Sequence, residues 1–178
     1  MARRKPQLVQ NVRISGIADA GMAVGRTDEG EVIFVQGAVP GDIVDVTVYK
    51  KRKKIKIGSV KEFVKYSEDR VTPFCQHFEA CGGCKWQNLQ YEAQVKHKHV
   101  IVSDAIKRIG KITQVEIEDV LAARDTRYYR NKLEYAFAPY RWLTKEEIEN
   151  QGEIKQTPSA GFHISGSYNK ILDIKQCH

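Results

Sequence analysis

Pro40-Gly41-Asp42-Ile43-Val44-Asp45-Val46-Thr47-Val48 is a turn that runs directly into a strand. Proline presets φ and glycine accepts conformations that other residues avoid, so Pro40-Gly41-Asp42 predicts a chain reversal. Ile43, Val44, Val46 and Val48 then supply the side chains of a β-strand. Outward from this point the pattern repeats. Val9, Val12 and Ile14 begin a strand that Gly16 bends, and Gly21, Gly25 and Gly30 punctuate the next segments. Val32, Phe34 and Val35 form a short apolar strand, and Ile55, Ile57, Val60, Phe63 and Val64 form another beyond a basic run. Five short strands within residues 8–65, with glycine turns and no helix, predict a small Greek-key barrel of the OB type.

Residues 67–70 look like a linker, and a different pattern follows them. Tyr91, Val95, His99, Val102, Ile106 and Ile109 recur at spacings of 4, 4, 3, 4 and 3, one face of a helix over 89–109. Asn88 is the expected N-cap and Gly110 the expected stop. Within that helix His97 and His99 read as surface or boundary residues, since a spacing of two puts them on different faces. Residues 128–140 alternate and are rich in aromatics, which predicts a strand, with Tyr135 and Phe137 directed to the core. Leu143 opens a short acidic helix or excursion. Residues 160–164 and 170–174 read as a hairpin turning at Ser165-Gly166-Ser167-Tyr168-Asn169. The expected architecture is mixed: a five-stranded barrel over 1–66, then a small α+β domain over 67–178.

The 178 residues, 42% hydrophobic and 29% charged, suit a globular protein. No apolar run approaches the roughly 20 residues of a membrane helix, and Met1-Ala2-Arg3-Arg4-Lys5-Pro6 has no apolar stretch behind it, so the expected location is the cytoplasm. The net charge of +7 is uneven: residues 1–66 carry +6 and residues 67–178 carry +1. A basic first third predicts a polyanionic partner, against the plainer alternative of a solvated basic loop.

Cysteines occur at 75, 81, 84 and 177 only, three of them in the run Cys75-Gln-His-Phe-Glu-Ala-Cys81-Gly-Gly-Cys84-Lys-Trp86-Gln87. In a reducing compartment such a cluster is more often metal-binding than disulfide-bonded. Four thiolates close the coordination of one centre, and soft sulfur ligands suit zinc or an iron–sulfur cluster. Zinc sites usually pair two Cys-x-x-Cys knuckles, and only Cys81–Cys84 has that spacing here. Three local ligands and one remote one fit a cubane, in which each iron takes one thiolate. Gly82 and Gly83 let the backbone wrap closely around it, and Trp86 is placed to shield it. Zinc, or four unrelated thiols, remain alternatives at this level.

Cys75-x5-Cys81-Gly82-Gly83-Cys84-x-Trp86-Gln87, followed by Leu89-x-Tyr91-x-x-Gln94-x-x-x-Lys98, resembles the 23S rRNA (uracil-5-)-methyltransferases. Tyr129-Arg130-Asn131-Lys132 and the segment from Gly161-Phe162 to Leu172-Asp173-Ile174-x-x-Cys177 are similar to later segments of that family, in the same order. Gly21-x-x-x-Gly25-Arg26, Val35, Ala38 and Pro40-Gly41-Asp42 resemble a TRAM domain, an OB-type RNA-binding module. The resemblance implies a 4Fe-4S cluster held by Cys75, Cys81, Cys84 and Cys177, open to loss or replacement by zinc in a fragment. It also implies S-adenosylmethionine as methyl donor in the full-length enzyme and a structured RNA as partner, 23S rRNA or transfer RNA. A monomer is expected, with neither membrane nor DNA as partner. In that family a separate cysteine attacks carbon 6 of the uracil and a base removes the proton from carbon 5. No candidate for either, and no Gly-x-Gly-x-x-Gly for a nucleotide fold, occurs in this chain. The expectation is therefore an N-terminal portion without catalytic residues, inactive alone. The competing expectation is a self-contained RNA-binding iron–sulfur module. A radical methylthiotransferase fits less well, because its cysteines follow an x3, x2 spacing and its TRAM module comes last. An electron carrier fits less well with a basic barrel.

For RNA, the expected phosphate contacts are Lys50, Lys51, Arg52, Lys53, Lys54 and Lys56. In the second domain the resemblance points to Arg130, Lys132 and Phe162, for which an ordinary strand surface with a core phenylalanine is the alternative.

Overall fold

The computed structural model describes residues 7–18, 21–52, 55–150 and 157–178. The chain divides into two compact units. Met1–Thr72 groups with Asn88–Ala122, and Pro73–Gln87 groups with Ala123–His178.

The first unit is built on a closed barrel of β1 (Gln7–Ile17), β2 (Ala23–Arg26), β3 (Val32–Gln36), β4 (Ile43–Arg52) and β5 (Ile55–Lys65). The strand order is β1-β2-β3-β5-β4, closed by antiparallel pairing of β4 with β1. Pairing is antiparallel throughout except between β3 and β5. The five expected strands are all present. Alternation along β4 sends Val44, Val46 and Val48 inward, where they meet Val12, Ile14, Ala23, Ile33 and Val35. Each buried valine contributes roughly 1.5–2 kcal/mol through loss of apolar surface from water.

Asp42 organises the turn that precedes β4. Only 1% exposed, it accepts the Val39 amide at 2.7 Å and the Ser67 amide at 2.9 Å. The Arg70 guanidinium donates to both its oxygens, at 2.8–3.2 Å. Arg70 also donates to the Gly37 carbonyl and lies over the Phe63 and Tyr66 rings. Residues 67–70 are therefore bolted to the barrel through Asp42, in contrast to the linker expected there. Gly41 makes the turn possible, with φ +91°.

The helix is α1 (Tyr91–Asp104), continued by a π-turn over Ala105–Ile109. Gln90, not Asn88, precedes its first turn, and Gly110 stays right-handed with its amide bonded to the Ala105 carbonyl. Ala93 is the one buried residue of α1; along the expected stripe Tyr91, Val95, His99 and Ile106 are half-buried, and Val102 and Ile109 are exposed.

The second unit holds a three-stranded antiparallel sheet of β6 (Ala136–Ala138), β7 (Ser159–His163) and β8 (Ile171–Asp173), in that order. The expected hairpin is β7–β8. The expected strand over 128–140 is confined to Ala136–Ala138, and Tyr135 and Phe137 are 43% and 81% exposed, not core. The alternation is present but residues 128–135 find no partner strand. The short helix α2 (Lys145–Glu149) starts at a capping box: the Glu147 amide donates to Thr144 Oγ1 and the Thr144 amide to Glu147 Oε2. Among the described residues no helix is long and apolar enough to cross a membrane.

Candidate functional site

All four cysteines lie in the second unit and all are free thiols. The loop 75–84 is irregular, and side chains and backbone of the same unit fix it. The Cys75 amide donates to Gln87 Oε1 at 3.2 Å, so the glutamine that ends the cysteine motif anchors the residue that begins it. The Cys81 amide donates to the His77 carbonyl, and Cys81 bridges to Ile164 beside β7. The Gly82 amide donates to the His163 carbonyl and the Ser165 amide to the Ala80 carbonyl. A side chain at Gly82 would bring its Cβ to 2.9 Å from the His163 carbonyl, so this approach requires glycine. The Gly83 amide points at Cys81 Sγ at 3.4 Å.

The thiols affect one another electrostatically. Burial pushes the Cys81 thiol up, the Gly83 amide opposes this, and Cys84, Cys75 and Cys177 raise it further. Burial likewise raises Cys177, with Cys84 and Cys75 adding to the shift, while the His178 amide and the Arg130 charge oppose it. Cys177, remote in sequence, shares the unit of the other three and is electrostatically coupled to Cys75 and Cys84. Among the described residues no three His, Cys, Asp or Glu side chains converge on one point that would hold a single metal ion. That convergence is what zinc needs. A cubane gives each thiolate its own iron and holds the four apart around a larger body. The donor set, four reduced thiols with small glycines and the Gly83 amide directed at Cys81 Sγ, is compatible with such a body.

Sequence reasoning missed His77 and Tyr128. His77 Nε2 accepts the Lys175 amide at 3.2 Å, and burial and the Lys175 charge keep its imidazole more readily neutral, against the pull of Asp173. Tyr128 has φ +54°, a conformation that costs a bulky side chain on the order of 1 kcal/mol. Its position one residue before Tyr129-Arg130-Asn131-Lys132 was the only signal.

The expected RNA contacts separate into groups. Lys50, Lys51 and Arg52 are exposed at the end of β4. Lys51 shares its charge with Glu31 at 3.5 Å. Lys56 is turned inward: it is 4% exposed and paired with Glu31, so its ammonium is not presented to a polyanion. Lys53 and Lys54 lie outside the described residues. A shallow groove of about 410 Å³ opens at Arg26, Glu29, Gly30, Glu31, Val32 and Ile55 on the same barrel. In the second unit Arg130 is exposed and donates to the Lys132 carbonyl, and exposed Lys132 pairs with Glu134 at 2.9 Å. Phe162 is half-buried, with its ring 4.8 Å from that of Tyr135.

Residues 3–61 match the TRAM domain family. An uncharacterized RNA methyltransferase of Bacteroides thetaiotaomicron is 42% identical over 161 residues, covering 90% of this chain and 35% of that protein. Another, from Porphyromonas gingivalis, is 41% identical over 170 residues, 94% of this chain and 36% of that one. The chain therefore carries a TRAM domain and is similar over most of its length to proteins named as RNA methyltransferases. It spans about a third of the length of these relatives. The crystal structure of Pyrococcus abyssi tRNA (uracil-54, C5)-methyltransferase is similar over 93% of this chain and 32% of its own, at TM-score 0.49 and 22% identity.

Proposed function

We propose that this chain is the RNA-binding and iron–sulfur portion of an S-adenosylmethionine-dependent enzyme that forms 5-methyluridine in structured RNA, 23S rRNA foremost. The observation that carries the reading is the gathering of four reduced thiols into one unit, in a chain whose barrel presents cations at the β4 end. Cys75, Cys81, Cys84 and Cys177 would hold a 4Fe-4S cluster. Bound there, the cluster supplies a cross-link between the 75–84 loop and the segment after β8; transfer of a methyl group to carbon 5 requires no electron from it. The Gly83 amide steadies charge on Cys81, and Arg130 does so at Cys177. Lys50, Lys51 and Arg52 meet phosphates. Methyl transfer itself belongs to residues outside this chain, which alone transfers none.

Two measurements test this. Anaerobic purification followed by iron, sulfide and zinc quantitation should give about four irons and four sulfides per chain; one zinc and no iron would sink the cluster. Deletion of the gene, followed by nuclease digestion and mass spectrometry of separated RNAs, should remove one 5-methyluridine from 23S rRNA. Loss from transfer RNA alone would move the substrate.

A further inference from the structure

Beyond β8 no strand holds the chain in place. Ile174 is the last residue to use its amide on the sheet, donating to Ala160. Cys177 nevertheless belongs to the same unit as the other thiols, and its neighbours show what holds the segment around it. The Lys175 amide is taken by His77 Nε2 at 3.2 Å, across 98 residues of sequence. The Gln176 side-chain amide donates to the Tyr128 hydroxyl at 3.3 Å, and that hydroxyl is hydrogen-bonded to His178 Nδ1 at 2.8 Å. The His178 ring meets Phe74 edge-on, with centroids 5.5 Å apart, and Arg127 covers Phe74 at 4.0 Å.

We propose that Tyr128 is a positioning residue: its hydroxyl, bridging the side chains on both sides of Cys177, holds that thiol in place as the fourth ligand, with His77 securing Lys175 two residues earlier. One hydroxyl holds the side chains of 176 and 178, so residue 177 is fixed from both flanks while its own thiol stays free to ligate. The left-handed backbone at Tyr128 is what this bridge holds in place. The inference rests on the cluster reading for its purpose, but the geometry exists without metal.

The test has two arms. In the metal-free chain, alkylation of each cysteine by iodoacetamide is followed by mass spectrometry. Tyr128→Phe keeps the ring and should raise the Cys177 rate at least threefold, leaving Cys81 and Cys84 within error. In the anaerobically reconstituted chain the same variant should release iron to a ferrous chelator at least threefold faster than the parent. Should Tyr128→Phe fail to keep its circular dichroism, Gln176→Ala removes one arm of the bridge from an exposed position and should give a smaller rise at Cys177 alone. An unchanged Cys177 rate in the folded variants would overturn the inference, as would an equal rise at all cysteines. If the parent chain takes up no iron, the cluster reading fails, and the alkylation arm still decides the role of Tyr128.

Discussion

In the barrel, Val12, Ile33, Val35, Val44 and Val46 are wholly removed from solvent; in the three-strand sheet of the second unit the only large apolar side chains among the described residues that come close are Ile171 and Leu172. The second unit instead leaves Tyr129, Phe137, Tyr140 and Tyr168 exposed and ties its loops with single hydrogen bonds across long stretches of sequence. A closed barrel has no unpaired edge and buries a contiguous core, so it carries its own stability. A small sheet with a thin core ordinarily needs a disulfide, a metal or a partner. All four cysteines lie in that thinner unit, where the proposed cluster would supply a cross-link that the barrel does not need.

The largest effect that would break this comparison lies at Arg70. Removing the guanidinium leaves Asp42 buried with an uncompensated charge, which costs about 3–5 kcal/mol. Arg70→Met should lower the urea midpoint of the barrel, followed by far-UV circular dichroism. Both tryptophans, Trp86 and Trp142, belong to the second unit, so their fluorescence reports on it separately. A matching shift in the fluorescence transition would mean that the two units are not independent in stability.

A smaller effect sharpens the other side. Burial raises the thiols of Cys81 and Cys177, so the metal-free fold favours their neutral forms. That stability is complete below the ordinary thiol pKa, about 8.5, and is lost as pH rises through the raised folded values. The fluorescence midpoint of the metal-free chain should therefore fall on going from about pH 7 to about pH 10, and Cys81→Ser should flatten part of the slope. Metal loading runs the opposite way, since thiolates bind and protons leave: uptake tightens as pH rises. A metal-free midpoint that rises over the same interval would contradict the burial argument.

Legibility in the sequence follows the same division. The barrel strands announce themselves locally, through β-branched residues and a turn whose Pro40-Gly41-Asp42 has a mechanism. Even there, Asp42 and Arg70 were not paired in advance, because their contact spans 28 residues. The proposed ligand set comes from a count and a spacing in the sequence. Its supports do not: His77 with Lys175 and Tyr128 with His178 are contacts that no period reveals. The alternation over 128–140 predicted a strand, but a strand exists only where another pairs with it, and only Ala136–Ala138 has β7 alongside.

The least effect, and the finest cut, concerns the basic run. Read as a string, Lys50, Lys51, Arg52 and Lys56 are equivalent; in the barrel they are not. Strand β5 turns Lys56 and Gly58 inward and leaves Ile55 41% exposed, the reverse of what apolar content suggested. Glu31 makes this tolerable by neutralising Lys56, and its own carboxyl is held below the usual range chiefly by that contact. Replacing Lys50, Lys51 and Arg52 by glutamine should weaken binding of a single-stranded RNA severalfold. It should also reduce the slope of log affinity against log salt by about 0.7 for each lost phosphate contact. Lys56→Met should leave that slope alone and instead lower the urea midpoint of the barrel, because Glu31 loses its nearer charged partner and keeps only Lys51. Fluorescence anisotropy at several salt concentrations separates the two outcomes. An equal loss of slope in Lys56→Met would mean that the inward lysine reaches phosphate after all, and that charge at this barrel end works without regard to which side chains face water.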